Sequence, residues 1–354
     1  MPSKRLDKYG YEMDATFWMD GFRGVRPEQV SHSLDLLDGE LDPAALYGVF
    51  GSFEGEWLVA RFDQVERDPR LGFHRNGNLE ARSLNWHSSL SRDRYISYVG
   101  MIKEEIERGW VYQVNACRLL FTDDQLDLSQ LFATIQEEHH APAAAYFKCD
   151  GWEIASASPE TFFKVVRREG RNILVTRPIK GTSRTGHFAK KDAAENVMIV
   201  DLMRNDISPL CIPGTVQVPR LLHTEEHPGL FHLVSDVEGE LRSGVSWSEI
   251  LRRLAPAGSI TGAPKSSALE VISRVEPYRG AYCGTVGWIH DGQAHFSVLI
   301  RTFFKDSNDH AGRTFFGTGA GITWGSDPSL EWDETELKAE RLISLSHGRI
   351  GAAL

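Results

Sequence analysis

The sequence predicts an α+β protein dominated by antiparallel sheet, and three observations lead there. Short runs rich in β-branched and aromatic residues recur along most of the chain. Two of them, Tyr282 to His290 and Ala294 to Phe304, are joined through Asp291-Gly292, a strong hairpin signal. Helical patterns fall between the runs at irregular spacing, which does not suit the regular alternation of βαβ units. A chain of 354 residues can bury a sizeable core as one large domain or two.

Strand-like runs at Ala45 to Phe53 and Trp57 to Val65 come first, with no constellation of reactive groups around them. Ser91 to Arg108 reads as an amphipathic helix, with Tyr95, Val99, Ile102 and Ile106 on one stripe and Gly109 as a stop. Strand-like segments follow at 110–121, 143–148, 153–157, 161–167 and 172–176. His187 to Arg204 and Pro264 to Val275 are helical by pattern. The last strand candidate, Thr314 to Thr323, leads into a helix opened by Asp327-Pro328, an N-cap followed by proline at N1.

With 39 Lys and Arg against 49 Asp and Glu, the formal charge is −10. That balance argues against broad binding to nucleic acid or anionic membranes, which need a basic face. An anionic ligand would require a local positive site or a metal. The charged start Met1-Pro-Ser-Lys-Arg-Leu-Asp-Lys8 lacks the apolar stretch of a signal peptide. No run approaches the roughly 18 apolar residues of a membrane span. Cys117, Cys149, Cys211 and Cys283 lie far apart with no CxxC pair, which speaks against a disulfide framework or a cysteine zinc site. The expectation is a reduced, cytoplasmic protein.

Three motif matches fail on physical grounds. Gly317-Thr-Gly-Ala-Gly-Ile322 lacks the third glycine of a dinucleotide fingerprint and does not open a βαβ unit. In Gly258-Ser-Ile-Thr-Gly-Ala-Pro-Lys265, proline replaces the glycine before the lysine of a P-loop and offers no N–H to a phosphate. What survives there is a helix N-terminus with Pro264 at N1 and a nearby lysine, a candidate anion site. In His223-Thr-Glu-Glu-His227, Pro228 pushes the second histidine out of helical geometry, which breaks a zinc-peptidase arrangement.

Other side chains are better candidates for chemistry. Glu331, Glu334 and Lys338 lie within a narrow arc of one helix, and Asp192 with Glu195 form an i, i+3 pair. Such acid pairs are ordinarily solvated faces; their functional reading is a carboxylate set holding Mg²⁺. Lys180 ends an apolar run, and Arg177 together with burial would favour the neutral amine that a nucleophile needs. The bland alternative is an exposed, inert lysine. Glu160 precedes an apolar strand, where partial burial would raise its pKa and suit a proton donor. By strand parity Arg301 shares the less apolar face with His295, Ser297 and Leu299, which suits carboxylate recognition.

Together these segments resemble the chorismate-utilising enzymes, from about residue 90 to 345. The motifs stand in the family's order. They begin with Tyr112-Gln-Val-Asn115, Ser158-Pro-Glu160, Arg177-Pro-Ile-Lys-Gly-Thr182 and Glu195 to Asp206. His232-Leu-Val-Ser235, Gly258 to Lys265, Gly319-Ala-Gly-Ile322 and Glu331-Trp-Asp-Glu-Thr335 follow. The resemblance implies a layered antiparallel β-sandwich with outer helices. It makes 86–347 the chorismate-binding catalytic region and 1–85 an N-terminal part of the same unit.

The resemblance also implies roles. Mg²⁺ would sit between the substrate's ring carboxylate and Glu195 and Glu334, with Glu331 and Asp192 alongside. Arg301, Tyr282 and the backbone of Gly319, Ala320 and Gly321 match positions that hold carboxylates. Thr261, Lys338, Gly181, Thr182 and His232 line the pocket, and Glu160 matches the acid that protonates the departing C4 hydroxyl. Anthranilate, isochorismate and salicylate synthases carry alanine where this chain has Lys180, whereas aminodeoxychorismate synthases carry lysine. In those enzymes the lysine attacks C2, and ammonia then adds at C4 to give 4-amino-4-deoxychorismate, the precursor of 4-aminobenzoate and folate. Gln113 agrees, because water-adding members place a lysine base there and an amide is no useful base. Another chorismate-aminating activity, such as anthranilate formation, is the rival. This chain shows no glutaminase module, so ammonia is expected from a separate glutamine amidotransferase subunit. Cys117 is expected to pack rather than react. Without a Leu-Leu-Glu-Ser motif, no tryptophan feedback is expected.

Overall fold

The computed structural model describes residues 15–67, 84–138, 141–183, 185–188, 190–227, 230–306, 308–346 and 348–350. The charged start at Met1 to Lys8, Pro228 and Gly229 lie outside them, as do the side chains of Thr182 and His227.

These residues build two large sheets and six helices. The first sheet runs, in spatial order, Gly348–Ile350, Leu84–Ser88, Gln113–Thr122, Thr314–Ile322, Thr302–Lys305, Trp152–Ser156, Ala145–Cys149, Ala15–Met19, Phe22–Val25 and Val65–Arg67. Gly262–Ala263 adds to it beside Gln113–Thr122. The second runs Ile179–Ser183, Leu230–Glu240, Arg171–Thr176, Thr161–Arg168, Gln293–Val298, Thr285–His290, Leu46–Gly51, Trp57–Phe62 and Gln29–Ser31, with Gln217–His227 also paired to Leu230–Glu240. Among these strands the neighbours are antiparallel except Gly348–Ile350 with Leu84–Ser88. The fold is α+β with antiparallel layers, as expected.

The principal core lies between the sheets. Phe17, Phe147, Trp152 and Phe304 from the first meet Phe50, Phe163 and Phe296 from the second. Phe50 and Trp152 touch across the layers with centroids 4.7 Å apart. A ring buried this fully contributes about 1.5–3 kcal/mol over its exposed state.

The helices are α1 (Arg92–Glu107), α2 (Leu128–Glu138), α3 (Lys190–Ile207), α4 (Trp247–Leu254), α5 (Lys265–Ser273) and α6 (Pro328–Leu345). Helix α1 starts where the Ser91 hydroxyl accepts from Arg94 N, and it buries Tyr95, Val99 and Ile102. Helix α6 starts where Asp327 accepts from the N–H groups of Ser329 and Leu330, with Pro328 first in the helix. Helices α2 and α6 cover Leu120, Tyr146, Phe303 and Phe316 on the outer face of the first sheet. Helices α1 and α5 cover Val114, Ala116, Ala320 and Ile322 on the same sheet.

Two buried polar anchors fix the helices that matter for function. Arg118, fully buried on Gln113–Thr122, donates to Thr335 Oγ1 at 2.9 Å and to Glu336, and its guanidinium lies 4.0 Å from the Trp332 ring. That locks α6 in rotation. Asn196 does the same for α3: its Nδ2 donates to Leu233 O at 3.1 Å and its Oδ1 accepts from Ser235 Oγ at 2.5 Å.

Several expectations need correction. Helix α3 begins at Lys190 rather than His187. Pro264 is the N-cap of α5, not its first residue. The run Ala294 to Phe304 is two strands, because Gln293–Val298 belongs to the second sheet and Thr302–Lys305 to the first. Leu299 to Arg301 cross between them, with Arg301 at φ +53°. Strand parity therefore ends at Val298, and Leu299 packs in the core with Phe296 and Val298. No described helix is long and apolar enough to cross a membrane.

Candidate active site

A cavity of about 570 Å³ opens where the two sheets, α3 and α6 converge. One wall is the strand Thr314–Ile322, on which Gly317, Gly319 and Gly321 share a face by the two-residue period. The glycines are there for clearance. A Cβ at Gly317 would lie 2.0 Å from Tyr282 Cγ, one at Gly319 2.5 Å from Ala116 O, and one at Gly321 2.3 Å from Gln113 Nε2. Their absence lets the Tyr282 ring and the Gln113 amide lie flat against the strand. Gln113 Oε1 is buried and has no hydrogen-bond partner among the described residues.

Lys180 enters from the opposite sheet. The ladder between Ile179–Ser183 and Leu230–Glu240 slips between Ile179 and Thr182, and Gly181 takes φ +92°. This bulge re-aims the strand into the cavity. Lys180 Nζ donates to Ser259 O at 3.0 Å, and Ser259 Oγ donates to Glu160 Oε1 at 2.8 Å. Glu160 is buried, and burial raises its pKa despite the opposing Lys180 charge and the Ser259 hydrogen bond. Arg177 does not take part. Its guanidinium is bound to Asp236 at 2.8 Å and to Glu225, so its charge is balanced away from Lys180.

The chain crossover places Arg301 in the cavity lining. No ion pair or hydrogen bond joins its guanidinium to another described residue. Burial, with the Arg341 charge second, lowers its pKa from the ordinary arginine value. A desolvated cation without a partner is a site prepared for an anion.

Four carboxylates face the same space, Asp192 and Glu195 from α3 and Glu331 and Glu334 from α6. Glu195 is 3.6 Å from Lys191, and Glu334 is 2.6 Å from Lys338. Glu331 is buried, and burial foremost, with the Glu334 charge adding, raises its pKa against a hydrogen bond from Ser326. No three His, Cys, Asp or Glu side chains among the described residues are gathered closely enough to hold a metal ion. The donors are nevertheless all carboxylate oxygens, the ligand type that Mg²⁺ takes.

A family model described as chorismate binding enzyme matches residues 59–344. The chain belongs to the chorismate-binding enzymes. It is 34% identical over 282 residues to anthranilate synthase component 1 of Synechocystis, covering 75% of this chain and 56% of that one. It is 35% identical over 274 residues to aminodeoxychorismate synthase component 1 of Escherichia coli, covering 73% of this chain and 59% of that one. The chain thus spans less than three-fifths of the length of these two relatives. Anthranilate synthase component I of Streptococcus pneumoniae shares the fold, with a TM-score of 0.74 at 20% identity over 98% of this chain and 93% of that one.

Within this chorismate-binding enzyme the cavity gathers most of the residues singled out by sequence. Lys180, Glu160, Gly181, His232, Tyr282, Arg301, Gly319, Gly321, Lys338 and Gln113 line it with the four carboxylates. Two do not. Thr261 spends its hydroxyl on Ala257 O at 2.8 Å, and Ala320 turns its methyl to the cluster beneath α1 and α5. Lys265 is not at an anion site either, since its Nζ donates to Asp206 and to Leu254 O at 3.1 Å. His223 sits on a strand and contacts Glu225 at 3.2 Å, so no zinc-peptidase helix exists there. Ser259, Asn115 and Lys191 line the cavity although sequence reasoning gave them no role. The first two lie inside quoted motifs, which was the available signal.

Proposed function

We propose that this chorismate-binding enzyme acts as component I of an aminodeoxychorismate synthase, converting chorismate and ammonia into 4-amino-4-deoxychorismate. The observation that supports this is Lys180, whose amine lies in the cavity one residue's width from the buried acid Glu160. Relatives of both names are equally similar, so the choice rests on that side chain and on Gln113 rather than on identity.

Each wall has a task in this reading. Arg301 pairs with a substrate carboxylate and orients the ring, which suits its unpaired, desolvated guanidinium. Lys180 supplies the lone pair that attacks C2, and Glu160 gives its proton to the leaving C4 hydroxyl. Ammonia then adds at C4 and expels the lysine. Gln113 Oε1 offers a buried acceptor for an N–H of the incoming ammonia. Glu195 and Glu334, with Glu331 and Asp192, would hold Mg²⁺, which supplies positive charge to the ring carboxylate.

Ammonia would come from a separate glutamine amidotransferase, the product would feed 4-aminobenzoate and folate synthesis, and the four buried free thiols suit a reducing cytoplasm. The test is incubation with chorismate, Mg²⁺ and ammonium, followed by product mass and fluorescence. Intact-protein mass spectrometry should show an adduct that Lys180→Ala abolishes together with turnover. Fluorescent anthranilate as product, or full turnover by Lys180→Ala, would refute the reading.

A further inference from the structure

Lys180 and Glu160 meet through one residue. The carbonyl of Ser259 accepts from Lys180 Nζ while its hydroxyl donates to Glu160 Oε1. Ser259 is 6% exposed and sits in the short turn Gly258–Ile260. Packing holds that turn on several sides. A Cβ on Gly258 would lie 2.6 Å from Leu202 Cδ2 of α3, the Thr261 hydroxyl is bonded to Ala257 O, and Asn115 N donates to Thr261 O at 3.0 Å. A side chain fixed in this way sets the spacing of whatever it binds.

The chemistry gives that spacing a purpose. A lysine nucleophile must shed a proton, while the acid that protonates a leaving hydroxyl must hold one. An ammonium beside a carboxylate has the proton on the wrong partner. We propose that Ser259 is a positioning residue that couples the two groups, so that the proton leaving the Lys180 ammonium is the one Glu160 delivers to the departing hydroxyl. The proposal rests on the aminating reading of Lys180.

The step balances without an outside acid or base. The Lys180 amine, held on the Ser259 carbonyl at 3.0 Å, turns from it toward the carboxylate that the Ser259 hydroxyl holds; one N–H bond of the ammonium then breaks and an O–H bond forms on Glu160. The freed lone pair forms the N–C2 bond, the two π pairs of the ring diene shift in turn, and the C4–O pair leaves with its oxygen. That oxygen takes the Glu160 proton and departs as water. Glu160 is again a carboxylate and faces the alkylated nitrogen, which now has a proton to lose.

The test compares Ser259→Ala and Ser259→Thr with the wild type, using chorismate, ammonium and Mg²⁺, after thermal melts establish that each is folded. Ser259→Ala should lower kcat about tenfold or more with KM for chorismate within about twofold. Its kcat/KM profile should also shift. Removing a donor to the charged carboxylate raises the pKa of Glu160, so the acidic limb moves to higher pH. Ser259→Thr keeps the hydroxyl and should restore both. An unchanged profile and kcat in Ser259→Ala overturns the proposal, and so does a folded Ser259→Thr as impaired as Ser259→Ala. If Ser259→Thr fails to fold, the acidic limb of Ser259→Ala decides alone. A wild type that forms neither lysine adduct nor 4-amino-4-deoxychorismate refutes the aminating reading itself and overturns the coupling with it.

Discussion

The ring of Tyr282 rests directly on Gly317, so closely that a Cβ on the glycine would fall 2.0 Å from the ring's Cγ. Nothing larger than hydrogen fits without moving a fully buried tyrosine that lines the cavity. Gly317→Ala should therefore destabilise the fold by about 1–3 kcal/mol through overpacking. It should also raise KM for chorismate by displacing the ring. Urea unfolding and steady-state kinetics check both, and a variant with wild-type stability would mean that the strand yields at no cost.

Glu160 makes stability depend on pH in a definite direction. Burial raises its pKa above the ordinary 4.5, so the folded protein keeps this proton to a higher pH than the unfolded chain does. Between those two values the native state holds more protons, and stability falls as pH rises through the window. Glu160→Gln removes this dependence. Its unfolding free energy in urea should match the wild type below the window and exceed it at neutral pH, by about 1.4 kcal/mol for every pH unit that the window spans. An offset that is the same at every pH would rule out titration of Glu160 as the cause.

Arg301 sets binding against stability. An unpaired cation in a desolvated position costs the free protein energy that an anionic ligand would recover. Arg301→Met should raise the unfolding free energy by about 1 kcal/mol or more while increasing KM for chorismate at least tenfold, roughly one lost charge-assisted pair. Calorimetric melting with and without chorismate separates the two effects. A less stable variant would show that the guanidinium already has a stabilising role.

Lys265 should behave in the opposite way. Its Nζ caps the buried Asp206 carboxylate and the end of α4. Lys265→Met leaves that carboxylate without its cation and should cost about 2–3 kcal/mol. Because Lys265 is not in the cavity lining, kcat and KM should stay within about twofold. A selective loss of substrate affinity would return it to the binding machinery.

Much of this was legible in the sequence where a local signal and its cause coincide. Ser91 and Asp327-Pro328 announce helix starts because capping is decided within four residues. Asp291-Gly292 announces a hairpin because only its backbone angles, φ +46° and +67°, are at issue. The crossover at Leu299 to Arg301 was hidden, since both sheets bury their inner faces and hydropathy does not change when the chain moves from one to the other. Parity then placed Arg301 by the wrong argument. The glycines at 317, 319 and 321 looked like a dinucleotide loop because glycine spacing does not say whether the need is for φ or for clearance. Ser259 was invisible for a different reason: its partners are 79 and 99 positions away in the chain.

The cavity walls come from Gln113, Lys180, His232, Arg301 and Lys338, borne by both sheets, the crossover between them and α6. Neither sheet can be completed from a contiguous stretch, since the strands at Ala15–Met19 and Thr302–Lys305 belong to the first and those between them to both. No short fragment of this chain therefore carries a whole active site. The loops that bring distant strands together must close before any catalytic pair exists, which makes folding slow and late to reward its own progress. Recovered activity after dilution from denaturant is thus a clock for the last step of folding, not the first.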